Sequence, residues 1–226
     1  MKKNILIVGV GGQGTLLASV LLGNLALAKG YDVKLSEVHG MSQRGGDVVT
    51  HVKISDSKVC SPIIEKGEAD IIIAFERLEA YRWLPYLAEG GAMYVNRQNI
   101  MPMPVTLGQA EYPERADEII AAAAGKLVEF DALAIAEEAG SSKAVNVVLL
   151  GAASGDLPFS REEWLKVIED NVKPKFVELN KEAFVKGAEA KMGAAKAIEP
   201  VSFKGSRTRV MLWQQSSRTE AGNKRV

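Results

Sequence analysis

The chain has 226 residues, of which 47% are hydrophobic, and its 28 basic and 28 acidic residues leave no formal net charge at pH 7. A chain of this length buries one good core, and its balanced charge gives no reason to expect a nucleic-acid partner. The single cysteine, Cys60, excludes an internal disulfide and supplies too few thiolates for an iron–sulfur cluster or a structural zinc site.

The ends of the sequence predict neither export nor a membrane anchor. The apolar run after Met1 is broken by glycines and lacks a small-residue cleavage site, and the apolar segment 16–28 is too short to cross a bilayer. Residues 201–226 contain six basic residues and one acidic residue. We therefore predict a cytoplasmic protein with one domain over residues 1–193 and a basic, disordered tail over residues 194–226.

The chain opens with a pattern of strand, glycine turn and helix. An apolar strand, Ile5–Val8, precedes the turn Gly9-Val10-Gly11-Gly12-Gln13-Gly14, and a helical segment then runs to Lys29. Three glycines fill the positions of G-x-G-x-x-G in the strand–helix context that gives this pattern meaning. The turn and the helix N-terminus suit an anion, which leaves a dinucleotide, another phosphate or carboxylate, or no ligand open. The candidate binding residues are Gly9, Gly11, Gly12, Gln13 and Gly14.

The second strand is followed by a loop that departs from a dinucleotide-binding fold. The strand predicted at residues 31–37 ends at Glu37, where such folds place the acid that binds ribose. A polar, glycine-rich loop then takes the place of a crossover helix and leads directly to an alternating strand at residues 48–54. Two strands joined in this way can pair antiparallel.

The loop Glu37–Gly46 holds the strongest candidates for chemistry. Arg44 can make a bidentate contact with a carboxylate or phosphate, and His39 can donate a hydrogen bond or move a proton near neutral pH. Ser42 and Gln43 add a hydroxyl and an amide to the same candidate site. An alternative is that Arg44 pairs with Glu37 and the glycines only shape the turn. With two histidines in the chain, a metal site is not expected, and His51 is predicted to be structural.

The remaining elements complete an α/β pattern. A buried strand at residues 71–74 precedes a helix predicted at Glu76–Leu87, which Pro85 bends or ends. The next strand, residues 92–96, places Asn96 and Arg97 at its C-terminal end, where ligands gather in open α/β sheets; a surface turn is the alternative. Together these elements predict a Rossmann-like, three-layer open sheet, mostly parallel with some antiparallel pairing. Further elements are expected at residues 114–124 (helix), 126–130 (strand), 132–139 (helix capped by Asp131), 144–153 (helix containing Asn146), 161–170 (helix with the Ser160–Glu163 capping box) and from residue 174 (helix).

Two of these motifs carry a family resemblance. The turn Gly9–Gly14, followed by Glu37-Val38-His39-Gly40-Met41-Ser42-Gln43-Arg44-Gly45-Gly46, resembles the gamma-type domain of 2-oxoacid:ferredoxin oxidoreductases. The likeness extends from Met1 to about Ala190 and leaves the tail without a counterpart. It includes Asn96-Arg97-Gln98, Asn146 with Leu149-Leu150-Gly151-Ala152, and Asn180 with Ala183, Phe184 and Gly187.

This resemblance implies an enzyme subunit that is incomplete alone. Members of the family decarboxylate a 2-oxoacid on thiamine diphosphate, pass two electrons through iron–sulfur clusters to ferredoxin and release an acyl-CoA. The likeness implies that thiamine diphosphate, magnesium and 4Fe–4S clusters belong to a larger (alpha) partner subunit, with coenzyme A as co-substrate and indolepyruvate or another arylpyruvate as the oxoacid. Arg44 and His39 are then expected to hold the oxoacid carboxylate or the coenzyme A phosphates.

Two other classes of function fit part of the pattern. A non-catalytic NAD(P)-binding regulatory module is suggested by Gly9, Gly11, Gly14 and Glu37, but the polar loop in place of a crossover helix counts against it. A purely structural scaffold is the third possibility.

Overall fold

The computed structural model describes residues 1–40 and 46–196. It contains a seven-stranded sheet in the order β2-β3-β1-β4-β5-β6-β7. The strands are β1 (Lys2–Val10), β2 (Asp32–His39), β3 (Asp47–Ser55), β4 (Ala69–Ala74), β5 (Leu87–Asn96), β6 (Lys126–Phe130) and β7 (Ala195–Lys196).

The sheet combines parallel and antiparallel pairs. β1, β4, β5 and β6 lie parallel in succession. β3 is antiparallel to both β1 and β2, and β7 is antiparallel to β6. The predicted antiparallel pairing of the two strands that flank the polar loop is confirmed by the register of β2 and β3.

Helices cover both faces of the sheet. Alternation along β1 explains the two layers: Ile5 and Ile7 pack into one core, whereas Leu6 and Val8 pack into the other. The first core receives the helix at residues 15–28 and the helices within residues 132–194. The second core receives the helices at residues 77–83 and 116–123. The predicted three-layer α/β class is confirmed. The helices are α1 (Thr15–Ala28), α2 (Arg77–Trp83), α3 (Met103–Thr106), α4 (Ala116–Ala123), α5 (Ala132–Glu138), α6 (Val145–Ser154), α7 (Arg161–Asn171) and α8 (Val177–Ala194).

Helices α6 and α8 touch through their backbones. A Cβ at Gly151 would lie 2.1 Å from the Phe184 carbonyl oxygen, and a Cβ at Gly187 would lie 2.0 Å from the Val148 carbonyl oxygen. Two glycines on facing helices therefore permit the closest packing in this layer, beside the stacked rings of Trp164 and Phe184.

Some predicted boundaries were wrong. The helix expected at Glu76–Leu87 ends at Trp83, a 3₁₀ turn that contains Pro85 follows, and β5 already begins at Leu87. Regular structure continues through β7, and the domain end at residue 193 stays a prediction. Most of the predicted tail, from residue 197 onward, lies outside the described residues, as do Ser42, Gln43 and Arg44.

Candidate functional site

The candidate site lies at the C-terminal ends of the parallel strands. After β1 the chain crosses one face of the sheet as α1, whereas after β4 it crosses the other face as α2. Ligands bind at such a switch point because the two crossovers leave a crevice between neighbouring strand ends. The glycine turn after β1 and the residues that follow β4 border this crevice.

The glycines of the turn serve two purposes. A Cβ at Gly9 would lie 2.6 Å from Gln13 Oε1 and 3.0 Å from Phe75 Cβ. Glycine is therefore needed here, because the turn packs closely against the residue that follows β4. Gly14 has φ +83°, and its Cβ would lie 2.7 Å from Asn146 Nδ2. At Gly11 and Gly12, in contrast, a Cβ would meet none of the described atoms within 4 Å. The middle of the turn therefore leaves backbone exposed to a ligand or a second chain.

Gln13 fastens the turn. Its Oε1 accepts the Val10 backbone N–H at 2.9 Å, and its Nε2 donates to the Phe75 carbonyl oxygen at 3.4 Å. Asn146 holds the C-terminal end of the turn in place, because its Nδ2 donates to the Gly14 carbonyl oxygen at 3.1 Å. These contacts hold the exposed backbone of Gly11 and Gly12 in a fixed place.

The N-terminus of α1 is suited to an anion. Gly14 precedes the helix and provides no side-chain cap, and the first turn, residues 15–18, carries no acidic side chain. The Ala18 N–H donates to the Gly14 carbonyl oxygen, which leaves the N–H groups of residues 15–17 and the positive end of the helix dipole for a carboxylate or phosphate.

The ends of the polar loop lie against the glycine turn. The Gly11 backbone N–H donates to the Gly46 carbonyl oxygen at 3.1 Å, and the Gly40 N–H donates to the Asp47 carbonyl oxygen at 2.8 Å. The structure therefore brings together two motifs that are about thirty residues apart in the sequence. The predicted site residues Ser42, Gln43 and Arg44 belong to this loop but fall outside the described residues.

His39 and Glu37 are in side-chain contact at the start of the loop. His39 Nε2 lies 2.5 Å from Glu37 Oε1, and the His39 side chain is 61% exposed. Glu37 Oε2 accepts a hydrogen bond from Thr50 Oγ1 at 3.0 Å. This arrangement orients an exposed imidazole with one nitrogen directed to the carboxylate, as is common for histidines that donate a hydrogen bond or move a proton.

His51, by contrast, is a core residue. It is buried, its Nδ1 accepts the Ile64 backbone N–H at 3.1 Å, and its ring meets the Trp83 ring edge-on. Burial, and next the charge of Lys53, hold the pKa of His51 below its usual value. The predicted structural role is confirmed.

Asn96 and Arg97 differ sharply in exposure. Asn96 is 0% exposed, and its Nδ2 donates to the Phe75 carbonyl oxygen and to Gln98 Oε1. Its Oδ1 accepts the Ala132 N–H at 2.9 Å. Both N–H donors are thus engaged within the protein, and a ligand contact by Asn96 stays a prediction. Arg97 is exposed at the strand end, where its Nη2 lies 3.4 Å from the Glu129 carbonyl oxygen.

Replacing Asn96 with alanine should lower the free energy of unfolding by about 3 kcal/mol, because the buried Ala132 N–H loses its partner and the Phe75 carbonyl keeps only the longer bond from Gln13. Urea denaturation of the purified chain measures this loss. The exposed Asn99 is a matched control, and its alanine variant should stay within about 0.5 kcal/mol of the wild type. Equal losses for the two variants would contradict the bridging role of Asn96.

A charged group after β4 was missed by sequence reasoning. Glu76 and Glu79 are both 1% exposed, although they follow a strand end at the switch point. Glu76 caps α2 by accepting the Glu79 N–H, and Arg82 Nη1 donates to Glu79 Oε1 at 2.6 Å. Burial, assisted by the charges of Glu76 and Asp47, raises the pKa of Glu79 to about 7. The available signal was the placement of two acids within five residues of the end of the apolar run 71–75.

Clusters of metal-ligating side chains and membrane-spanning helices are both absent from the part of the chain that the structure describes. Within residues 1–40 and 46–196, no three side chains of His, Cys, Asp or Glu lie together as metal ligands would. Over the same residues, every helix is too short or too polar to cross a bilayer.

Comparison with known proteins places this geometry in one family. A family model described as pyruvate ferredoxin/flavodoxin oxidoreductase matches residues 4–190. The indolepyruvate oxidoreductase subunit IorB of Thermococcus kodakarensis is 43% identical over 192 residues, which cover 83% of this chain and 95% of that protein. The 2-oxoglutarate synthase subunit KorC of Methanothermobacter thermautotrophicus is 31% identical over 201 residues, which cover 87% and 98% of the two chains.

Solved structures show the same fold. The gamma subunit of a keto/oxoacid ferredoxin oxidoreductase from Geobacter sulfurreducens superposes with a TM-score of 0.63 at 27% identity, covering 85% of this chain and 99% of that chain. The pyruvate oxidoreductase subunit PORC from Thermotoga maritima gives a TM-score of 0.65 at 22% identity, covering 86% of this chain and 97% of that one.

Proposed function

The chain belongs to the pyruvate ferredoxin/flavodoxin oxidoreductase family, and we propose that it is the small subunit of a 2-oxoacid:ferredoxin oxidoreductase, acting on indolepyruvate or another arylpyruvate. The proposal covers most of the chain, because the matched region is residues 4–190. The observation that carries the structural part is the Gly11–Gly46 hydrogen bond, which joins the glycine turn and the polar loop into one surface.

The cofactors of the proposed reaction do not fit this chain. A 4Fe–4S cluster takes four thiolates, whereas the sequence has one cysteine. The described residues also offer no group of carboxylates or imidazoles for the magnesium that accompanies thiamine diphosphate. We therefore assign thiamine diphosphate, magnesium and the clusters to a larger subunit, which also delivers electrons to ferredoxin, and derive no step through them in this chain.

The small subunit would complete the partner's site by binding anions. The open N–H groups at the start of α1 suit the carboxylate of a 2-oxoacid or a phosphate of coenzyme A. His39 lies on the same edge of the sheet, separated from the end of β1 by β3; it is exposed and held by Glu37, and we propose that it donates a hydrogen bond to the bound substrate. Arg44 and Arg97 add cationic groups that suit carboxylates and phosphates. We further propose a cytoplasmic location, where the family's ferredoxin acceptor and coenzyme A would be encountered.

Reconstitution tests this assignment. The purified chain alone should not decarboxylate indolepyruvate, whereas mixing it with the larger subunit, coenzyme A and ferredoxin should give acyl-CoA and reduced ferredoxin. A panel of aryl, branched and acidic 2-oxoacids measures specificity. Turnover by the chain alone, or full turnover by the larger subunit alone, would contradict the proposal.

The dinucleotide-binding alternative has less support. Its ribose-binding acid would be Glu37, but both oxygens of that carboxylate are engaged, one by His39 and the other by Thr50. The antiparallel β3 next to β2 also replaces the parallel neighbour of a dinucleotide fold.

A further inference from the structure

A cavity of about 230 Å³ opens beside the glycine turn. Its polar lining includes Glu79 and Arg82, and its apolar lining includes Val10 and Ile100. This is room for several water molecules or one long side chain. Two methionines also line the cavity and are largely exposed, with exposed fractions of 52% for Met101 and 60% for Met103.

The buried carboxylate of Glu79 lacks one partner. Its Oε1 accepts a hydrogen bond from Arg82 Nη1, whereas Oε2 is buried and finds no hydrogen-bond partner among the described residues. An unpaired carboxylate oxygen away from water is costly, so such groups are normally matched by a donor. Glu79 is one of the residues that line the cavity, so a donor that enters the cavity comes close to this carboxylate.

The charges around Glu79 favour a cation. Glu76 also lines the cavity, and its oxygens are engaged by the backbone N–H groups of Glu79 and Ile100 rather than by a cation. Asp47, on β3, adds a further negative charge close to Glu79, and Arg82 opposes them.

Charged groups on the neighbouring elements are engaged in ion pairs or are neutral, and Arg77 pairs with two acids, one of them Glu129 on β6. Asp117, on α4, pairs with Arg77, on α2. Burial, together with the charges of Glu76 and Asp117, raises the pKa of the nearby Tyr112 to about 12, so this phenol stays neutral at physiological pH. The surroundings of Glu79 are thus acidic overall.

We propose that this cavity receives a lysine or arginine side chain of the larger oxidoreductase subunit, whose cationic end bonds to Glu79 Oε2. The inference rests on the proposed function, since it requires that subunit. The aliphatic stem of such a side chain would pack against Ile100 and the two methionines, as long basic side chains do along apolar surfaces. Val10 belongs both to the cavity wall and to the glycine turn, so the cavity continues the surface proposed to face the partner.

The affinity between the two subunits tests the proposal. We expect Glu79→Gln, which keeps the shape and removes the charge, to raise the dissociation constant at least tenfold at pH 8. The cation binds the ionised carboxylate, so wild-type affinity should rise roughly tenfold from pH 6 to pH 8 and level off above, given a Glu79 pKa of about 7 in the free chain. The Glu79→Gln variant should lack this rise.

Three comparisons make the result decisive. Glu89 is an exposed acid near the start of β5, away from the cavity, and the Glu89→Gln variant should bind the larger subunit as the wild type does. Met103→Ser, at an exposed border residue, should weaken association at least threefold without disturbing the fold, which covers the case in which Glu79→Gln fails to fold. If the Glu79→Gln and Met103→Ser variants both bind the larger subunit with wild-type affinity, this inference is wrong, whereas the proposed function is unaffected. Absence of any association between the wild-type subunits would overturn the proposed function as well.

Discussion

Replacing Gly187 with valine should lower the free energy of unfolding by at least about 3 kcal/mol, or prevent folding altogether. The new Cβ would lie 2.0 Å from the Val148 carbonyl oxygen, and 2.9 Å from the Val148 Cα. These obstacles are backbone atoms, so no change of rotamer relieves the clash. Helices α6 and α8 would have to separate.

Separation would be costly because the contact is reciprocal. Gly151 on α6 meets the Phe184 carbonyl of α8 at a similar distance, so both helices rely on a missing side chain. The same region contains Trp164, 0% exposed, whose ring stacks on Phe184 with centroids 5.5 Å apart. Moving α8 outward would open this packed region and leave cavities that cannot be filled.

Urea denaturation followed by circular dichroism measures the effect, with Gly23→Ala as the matched control. Gly23 also lies in a helix, α1, but the atom nearest to a Cβ at this position would be Leu35 Cδ1 at 3.2 Å, the end of a flexible side chain. Alanine there should change stability by less than about 1 kcal/mol, since better helix propensity offsets the tight contact. A Gly187→Val variant as stable as the Gly23→Ala variant would contradict the proposed helix contact.

The core elements could be predicted because their sequence signals are local. The apolar residues of β1 and the glycine turn predicted strand, turn and helix, and the lack of a crossover helix after Glu37 predicted the antiparallel β2–β3 pair. The start of β5 was not predictable from pattern, because Glu89, Gly90 and Gly91 interrupt its apolar run. The short β7 was missed because it depends on pairing with the distant Leu127 and Val128.

The sequence predicted where the candidate site lies, but it did not predict the contacts that form the site. Glycines before a helix indicate an anion-suited turn, but the Gly11–Gly46 bond that joins turn and loop depends on the sheet order. The burial of Asn96 and Glu79 could not be predicted from the adjacent residues in the sequence. A polar residue at or shortly after a strand end can face either a ligand or the core. Asn96 bridges β5 to α5, and Glu79 lies at a cavity that forms only when the 100–103 segment packs beside α2.

In the assembled enzyme, Arg44→Ala should reduce turnover of the 2-oxoacid by roughly 100-fold, which corresponds to about 3 kcal/mol of lost transition-state stabilisation. The physical reason is the loss of a bidentate, charge-assisted contact that positions a carboxylate or phosphate. Gly46, two residues after Arg44 in the sequence, accepts a hydrogen bond from the exposed part of the glycine turn. We therefore expect Arg44 to act on the same anion as the N–H groups at the start of α1.

Graded substitutions separate charge from geometry. Arg44→Lys keeps the charge but loses the planar pair of donors, so we expect roughly a tenfold loss of turnover. His39→Ala should cost a similar factor, because it removes one oriented donor and leaves Glu37 with Thr50 as its remaining partner. Arg161→Ala is the matched control, since Arg161 is exposed on α7 and pairs with Glu189, away from the loop. Size-exclusion chromatography must show intact complexes for all four variants. Wild-type turnover by an intact Arg44→Ala complex would show that the loop shapes the interface without binding substrate, and would leave the N-terminus of α1 as the anion site.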